Sequence, residues 1–197
     1  MKRKAYVLVF DGLADWEPAH ALCEIANSGK FEVLTVGFSP ASVRSMGGLK
    51  ILPDITLDEV RPDEAAIMIL PGGDIWAERS YPELIALLHR LHTEGAIIAA
   101  ICGATLEIVR SGLSGSVKHT SNDRDWLKSI IPDYRDEARY VEAMAISDNN
   151  VITANGLGSV EFAREIIGRL GIYDADDTQR WYEMFKHGKF QVLSHAT

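Results

Sequence analysis

The 197-residue chain is short of basic residues, with 20 Lys and Arg against 28 Asp and Glu, a formal charge of −8. General nucleic-acid binders and polybasic membrane anchors work by neutralising phosphate or anionic lipid with Lys and Arg, so both classes are disfavoured. Cysteine is nearly absent too: Cys23 and Cys102 stand far apart, with no CxxC or Cys/His zinc spacing. That pattern fits a reducing compartment better than a disulfide framework and makes the cytosol the default expectation. Long hydrophobic runs are missing. The uncharged stretch 95–106 falls well below the roughly 18 apolar residues of a membrane span, and the apolar run 5–10 meets Asp11 before it reaches signal-core length. No GxxxxGK[ST] phosphate loop and no HExxH occur, so nucleotide hydrolysis and zincin chemistry lack their parts. Repeats, low-complexity tracts and Pro/Ser-rich linkers are absent as well, and 1–197 is read as one domain.

What is present is ordinary for a globular chain, 47% hydrophobic and 24% charged. Nearly unbroken apolar runs at 5–10, 32–36, 66–70, 97–101 and 151–154 read as strands covered on both faces. Between most of them lie helical patterns. Leu84, Leu87, Leu88 and Leu91 repeat at i, i+3, i+4, i+7 behind a Ser80-x-x-Glu83 capping box. Further helices are expected at 18–27, 105–111, 123–131, 160–170 and 176–186, and antiparallel hairpins at 43–52 and 140–152. Alternating strand and helix predict a mostly parallel, doubly wound α/β sheet.

Ala100-Ile-Cys102-Gly-Ala104 lies where a strand stops and a helix begins, the small-x-nucleophile-x-small form of a nucleophile elbow with Cys in place of Ser. Such a corner is crowded, so small neighbours are needed. The helix start aims N–H groups at the side chain and is expected to lower the thiol pKa. Cys23, grouped with Ala19, Leu22 and Ala26, reads as helix packing.

Parallel sheets bind ligands beyond the carboxyl ends of their strands. Three segments meet that condition besides one another in sequence order: Asp15-Trp-Glu17, with Asp15 a plausible N-cap; Gly72-Gly73, whose N–H groups suit an oxyanion; and Cys102 itself. His119 is a candidate base or orienting group. His89 and His92 sit off the Leu stripe and read as solvated, and no third ligand suggests a metal. Gly156-x-Gly158 superficially matches a dinucleotide fingerprint, but Glu161 holds the third glycine's place and too little chain follows, so no cofactor is expected. The helix carrying Trp181, Met184 and Phe185 is expected to cover the chain's own core more readily than a partner.

Taken in order, Asp15-Trp-Glu17, Leu70-Pro-Gly-Gly73, Ala99-Ala-Ile-Cys-Gly-Ala104, His119-Thr and Ile152-Thr-Ala-Asn-Gly156 resemble the ThiJ/PfpI superfamily of class I glutamine amidotransferase-like proteins. The resemblance covers nearly the whole chain. It implies a three-layer α/β/α, flavodoxin-like sandwich, a homodimer, and an elbow Cys102 hydrogen-bonded to Glu17. Catalysis then falls to Cys102, Glu17 and His119, oxyanion binding to the Gly73 and Gly103 backbone, and the site rim to Gly72, Asn155 and Gly156. Two negative charges cannot share such a site cheaply, so Glu17 and Cys102 are expected to titrate as a unit.

Where the protease-like branch carries His after its elbow Cys, Gly103 stands here, and no His-x-Glu follows Cys102 as in amidotransferases. The chain looks most like the branch around the parkinsonism-associated deglycase. Glyoxalase-, deglycase- or hydrolase-like chemistry on a small electrophilic carbonyl or amide is implied. The alternatives are a redox-responsive protein oxidised to sulfinate at Cys102, or a chaperone with a vestigial site.

Overall fold

A computed structural model describes residues 2–194. The chain opens with β1 (Arg3–Val9), α1 (Trp16–Asn27) and β2 (Phe31–Gly37), then the short strands β3 (Val43–Arg44), β4 (Lys50–Ile51) and β5 (Ile55–Thr56). It continues through β6 (Ala65–Leu70), α2 (Ile75–Glu78), α3 (Pro82–Thr93), β7 (Ile97–Ile101), α4 (Thr105–Arg110) and α5 (Arg124–Ile130). The hairpin β8 (Ala145–Asp148) and β9 (Val151–Ala154) and the helices α6 (Ser159–Leu170) and α7 (Ala175–His187) complete it.

Seven strands form one sheet in the order β5-β2-β1-β6-β7-β9-β8, and β3 and β4 form a separate antiparallel ribbon. Every pairing in the large sheet is parallel except β8 with β9. The winding reverses between β1 and β6, which is the switch point where open parallel sheets gather their ligands. The register aligns the carboxyl ends there: Val7 faces Ile69, Leu70 faces Ala100, and Ile101 faces Ala154.

The strands' alternation splits the core into two layers. Tyr6, Leu8, Met68, Leu70, Ile98 and Ala100 point to the face covered by α3 and α4. Ala5, Val7, Ile67, Ile69, Ala99 and Ile101 point to the face covered by α1, α6 and α7. Helices on both faces of the sheet make the fold a three-layer α/β/α sandwich. On the second face Trp181 of α7 is 1% exposed, and its indole N–H donates to Glu24 of α1 at 2.9 Å, so this helix covers the chain's own core.

Three local expectations fail in whole or in part, each for a physical reason. Tyr81, not Ser80, caps α3, with no side-chain cap bond, because Pro82 already supplies the fixed first-turn geometry and needs no N–H acceptor. Asp15 occupies the N-cap position of α1 as expected, but its side chain makes no cap bond; the carboxylate instead accepts from Gly47 N–H at 2.6 Å and ties the hairpin to the β1–α1 loop. Cys23 is exposed, since the buried stripe of α1 runs through Glu17, Pro18, Ala21 and Ile25. Among the described residues no helix is long and apolar enough to cross a membrane.

Candidate active site

The sharp exit from β7 gives Cys102 a φ of +59°, one of two positive values outside glycine among the described residues. A left-handed conformation costs a non-glycine residue roughly 1–2 kcal/mol, so surrounding structure must hold it. Thr105 supplies part of that hold: its hydroxyl donates to the Cys102 carbonyl at 2.6 Å and lies 2.7 Å from the Ser121 hydroxyl. The thiol is thereby thrust towards the carboxyl ends of β1 and β6.

Backbone closes in behind it. An added Cβ on Gly72 would stand 2.6 Å from Cys102 Cβ and 2.6 Å from a Glu17 carboxyl oxygen, and one on Gly156 would stand 2.8 Å from the sulfur. Both positions therefore require glycine by close approach, not by backbone conformation. One on Gly103 would stand 3.0 Å from the Gly73 carbonyl oxygen, a similarly tight approach.

Glu17, in the first turn of α1, is 1% exposed, and Oε2 accepts the Gly72 N–H at 2.5 Å. Its carboxyl adjoins the Cys102 side chain, both lying against Gly72. Burial pushes the Glu17 carboxyl above the usual carboxylate range, against the Gly72 N–H and the Cys102 contact, which pull it down. Burial, then the Glu17 charge, pushes the Cys102 thiol up. Asn122 and the Gly103 N–H oppose that push without overcoming it. The expected lowering by the helix start is thus reversed: the local N–H field is present, but desolvation and a buried carboxylate outweigh it. The Glu17 charge thus works against ionisation of the neighbouring thiol.

Sequence reasoning missed Asn122. Its Nδ2 donates to the Cys102 sulfur at 3.3 Å, while its Oδ1 accepts Gly156 N–H at 2.9 Å. Asn155 fixes it in turn, Nδ2 donating to the Asn122 carbonyl at 2.7 Å. The signal was available in the same Lys118-His-Thr-Ser-Asn122 segment, an amide just before the Asp123 N-cap of α5. His119 points elsewhere. It is 1% exposed, with Nε2 2.7 Å from the Tyr134 hydroxyl and Nδ1 3.1 Å from the Val117 carbonyl, and burial lowers its pKa.

A cavity of about 340 Å³ opens over the sulfur. Glu17, Cys102, Gly73, Gly103 and Asn122 lie in its lining, and Trp16, Met46 and Trp126 form apolar wall; His119 is not part of it. The size suits a small molecule, at the low end of ligand pockets. The arrangement offers a sulfur nucleophile, an adjacent buried carboxyl and amide donors, with the hairpin loop held overhead by Met46 N–H on the Leu13 carbonyl at 2.8 Å. Among the described residues no group of three or more His, Cys, Asp or Glu is placed to hold a metal. His89 is exposed and His92 half-buried on α3, away from this cavity's lining.

Comparison with known proteins gives the chain its relatives. The chain is 37% identical over 195 residues to YoaZ of Bacillus subtilis (strain 168), which is named as an uncharacterized protease, covering 95% of this chain and 92% of that protein. It is 26% identical over 160 residues to a deglycase of Thermococcus kodakarensis, covering 80% and 92%. Among solved structures, a thiJ/pfpI family protein from Bacillus anthracis superposes with a TM-score of 0.89 at 35% identity, covering 96% of this chain and 92% of that one. A DJ-1 superfamily protein from Agrobacterium tumefaciens gives 0.86 at 29% identity, covering 96% and 100%. With the family model matching residues 3–169, the chain belongs to the DJ-1/PfpI family.

Proposed function

We propose that the chain is a cysteine-dependent enzyme acting on a small electrophilic carbonyl, with α-oxoaldehydes the best-matched class. The observation that carries the reading is the buried Glu17 carboxyl beside a Cys102 thiol held at a kinked corner under a small cavity. Relatives named deglycase and glutathione-independent glyoxalase support the same choice.

In this reading the pair's proton moves to Glu17, and the thiolate adds to the aldehyde carbon, the carbonyl electron pair passing to oxygen. Gly73 and Gly103 N–H groups and the Asn122 amide stabilise that oxygen. Glu17 returns its proton to that oxygen, and its carboxylate then removes the hydrogen of the former aldehyde carbon as a proton, the C–H electron pair forming an enediolate with the ketone carbon. A proton passes from the first oxygen to the ketone oxygen, and Glu17 delivers its proton to the former ketone carbon as the first C=O re-forms, which leaves a thioester on Cys102. Water cleaves the C–S bond, releasing a 2-hydroxy acid and restoring the thiol. His119 takes no step, because both ring nitrogens are already engaged; its proposed role is to hold the segment that delivers Asn122. A homodimer is the proposed assembly, supported by Leu49 and Leu52 at the β3–β4 ribbon, which are 62% and 69% exposed.

The test is lactate formation from methylglyoxal. Wild type is expected to turn over, Cys102→Ser to be inactive, and Glu17→Gln to lose roughly 10²–10⁴-fold, the usual contribution of a positioned proton-transfer group. Turnover that survives Cys102→Ser refutes the mechanism.

A further inference from the structure

The charge of the cavity lining carries a statement about substrate. Two carboxyl groups, Glu17 and Asp74, face the space over Cys102, and its lining contains no Lys, Arg or His. Asp74, just before α2, is exposed, and among the described residues its side chain makes no ion pair or hydrogen bond. Sites that take carboxylates or phosphates present a guanidinium fork or an ammonium. This one presents two indoles, Trp16 and Trp126, whose faces accept apolar groups and cations. The Gly103 N–H is directed at the sulfur, so it serves charge that develops during reaction instead of a charge already on the substrate. Low-dielectric walls focus the field of such a cleft, and the chain's net charge of −8 has the same sign.

We infer that the cavity over Cys102 admits neutral and cationic carbonyl compounds and turns away those bearing a carboxylate or phosphate, with Asp74 setting the preference. As a statement about substrates this rests on the carbonyl chemistry proposed above. As a statement about access to the sulfur it is measurable without turnover.

The probes are methanethiosulfonates carrying trimethylammonioethyl or sulfonatoethyl groups. In each case the thiolate attacks the sulfenyl sulfur, an S–S bond forms, the S–SO₂ bond breaks, and methanesulfinate leaves with the electron pair. Peptide-resolved mass spectrometry separates Cys102 from the exposed Cys23. The cation-to-anion rate ratio at Cys102 is divided by the ratio for 2-mercaptoethanol in the same buffer, which removes the reagents' intrinsic difference.

Reversing the probe's charge beside a carboxylate several ångströms away through water changes a rate by roughly five- to tenfold, so a normalised ratio of at least about five is expected. Asp74→Asn is expected to reduce it several-fold. A wild-type ratio below five overturns the inference, and so does a ratio that Asp74→Asn leaves unchanged. Should that variant not fold, ionic strength of about 0.5 M must compress the wild-type ratio, because salt screens exposed charges, and a salt-independent ratio overturns the inference equally. Turnover by Cys102→Ser would sink the carbonyl chemistry and leave this ratio standing; a failed ratio in an active enzyme would sink only the selectivity.

Discussion

Gly156→Ala tests whether the position of the sulfur is set by the backbone packed behind it. The new methyl would stand 2.8 Å from Cys102 Sγ, 0.6 Å inside the 3.4 Å at which ordinary contact begins, and 3.1 Å from Cys102 Cβ. The sulfur has little room to yield, because its backbone is locked at φ +59° and Asn122, Glu17 and the Gly103 N–H surround it. The 3.3 Å bond from Asn122 is expected to break first, because its acceptor is the atom that must move. A misplacement near 1 Å costs about 100-fold in catalysis, so a displacement of roughly half that or more predicts a ten- to hundredfold loss in kcat/KM for methylglyoxal. The stability cost is smaller: overpacking of this kind amounts to about 1–3 kcal/mol, and in a chain of this length each kcal/mol lowers Tm by about 2–4 °C. Iodoacetamide alkylation of Cys102, thermal unfolding and kcat/KM are measured together. Gly115→Ala is the control, since its methyl meets nothing nearer than Asp136 at 3.5 Å. Wild-type alkylation and turnover in Gly156→Ala would refute the claim that this contact places the nucleophile.

Three further outcomes follow from the same geometry. Because the folded-state pKa of Glu17 is raised, its stabilising contribution is present below the ordinary 4.5 and is lost as pH rises through the folded value. Glu17→Gln, which keeps an acceptor for Gly72 N–H, should therefore gain on wild type in urea unfolding as pH climbs above 4.5; a pH-independent difference contradicts the buried carboxyl. The same substitution removes the negative charge that raises Cys102, so the pH profile of Cys102 alkylation should move to lower pH, and an unmoved profile would break the pair apart. His119→Phe strands the Tyr134 hydroxyl and the Val117 carbonyl and should cost about 1–3 kcal/mol in chemical denaturation. Wild-type His119 is depressed, so its contribution is present above the ordinary 6.5 and lost on acidification; His119→Phe should flatten that acid limb, and an identical limb in both proteins would contradict the assignment.

The parts of this molecule legible in the sequence are those whose cause is local. Strands β7 and β9 coincide with the apolar runs 97–101 and 151–154, because a strand covered on both faces needs no polar residue to break the run. The hairpin turn at Asn149, with φ +49°, is legible for the same reason, since a positive φ selects its own residue type. The two-residue β5 and the four-residue α2 carry no period long enough to read. Ser80 and Glu83 match a cap pattern that Pro82 makes unnecessary, and Asp15 matches one that a partner over thirty residues away takes over.

At the site the division is sharper. The elbow is written in Ala100 to Ala104, and the glycines at 72, 103 and 156 show where backbone must come close. Which side chain reaches the sulfur from the 118–122 segment depends on how that segment is docked: Thr120 N–H donates to Thr153 Oγ1 at 2.8 Å, and His119 pairs with Tyr140 through backbone. That docking buries the imidazole among tyrosines and turns Asn122 to the thiol. The direction of the thiol's shift is decided the same way. The helix start that lowers it is adjacent in sequence, whereas the desolvation and the Glu17 charge that raise it come from elements joined only at the switch point of the sheet. A reading confined to neighbours sees one side of that contest, and the side it cannot see is the larger.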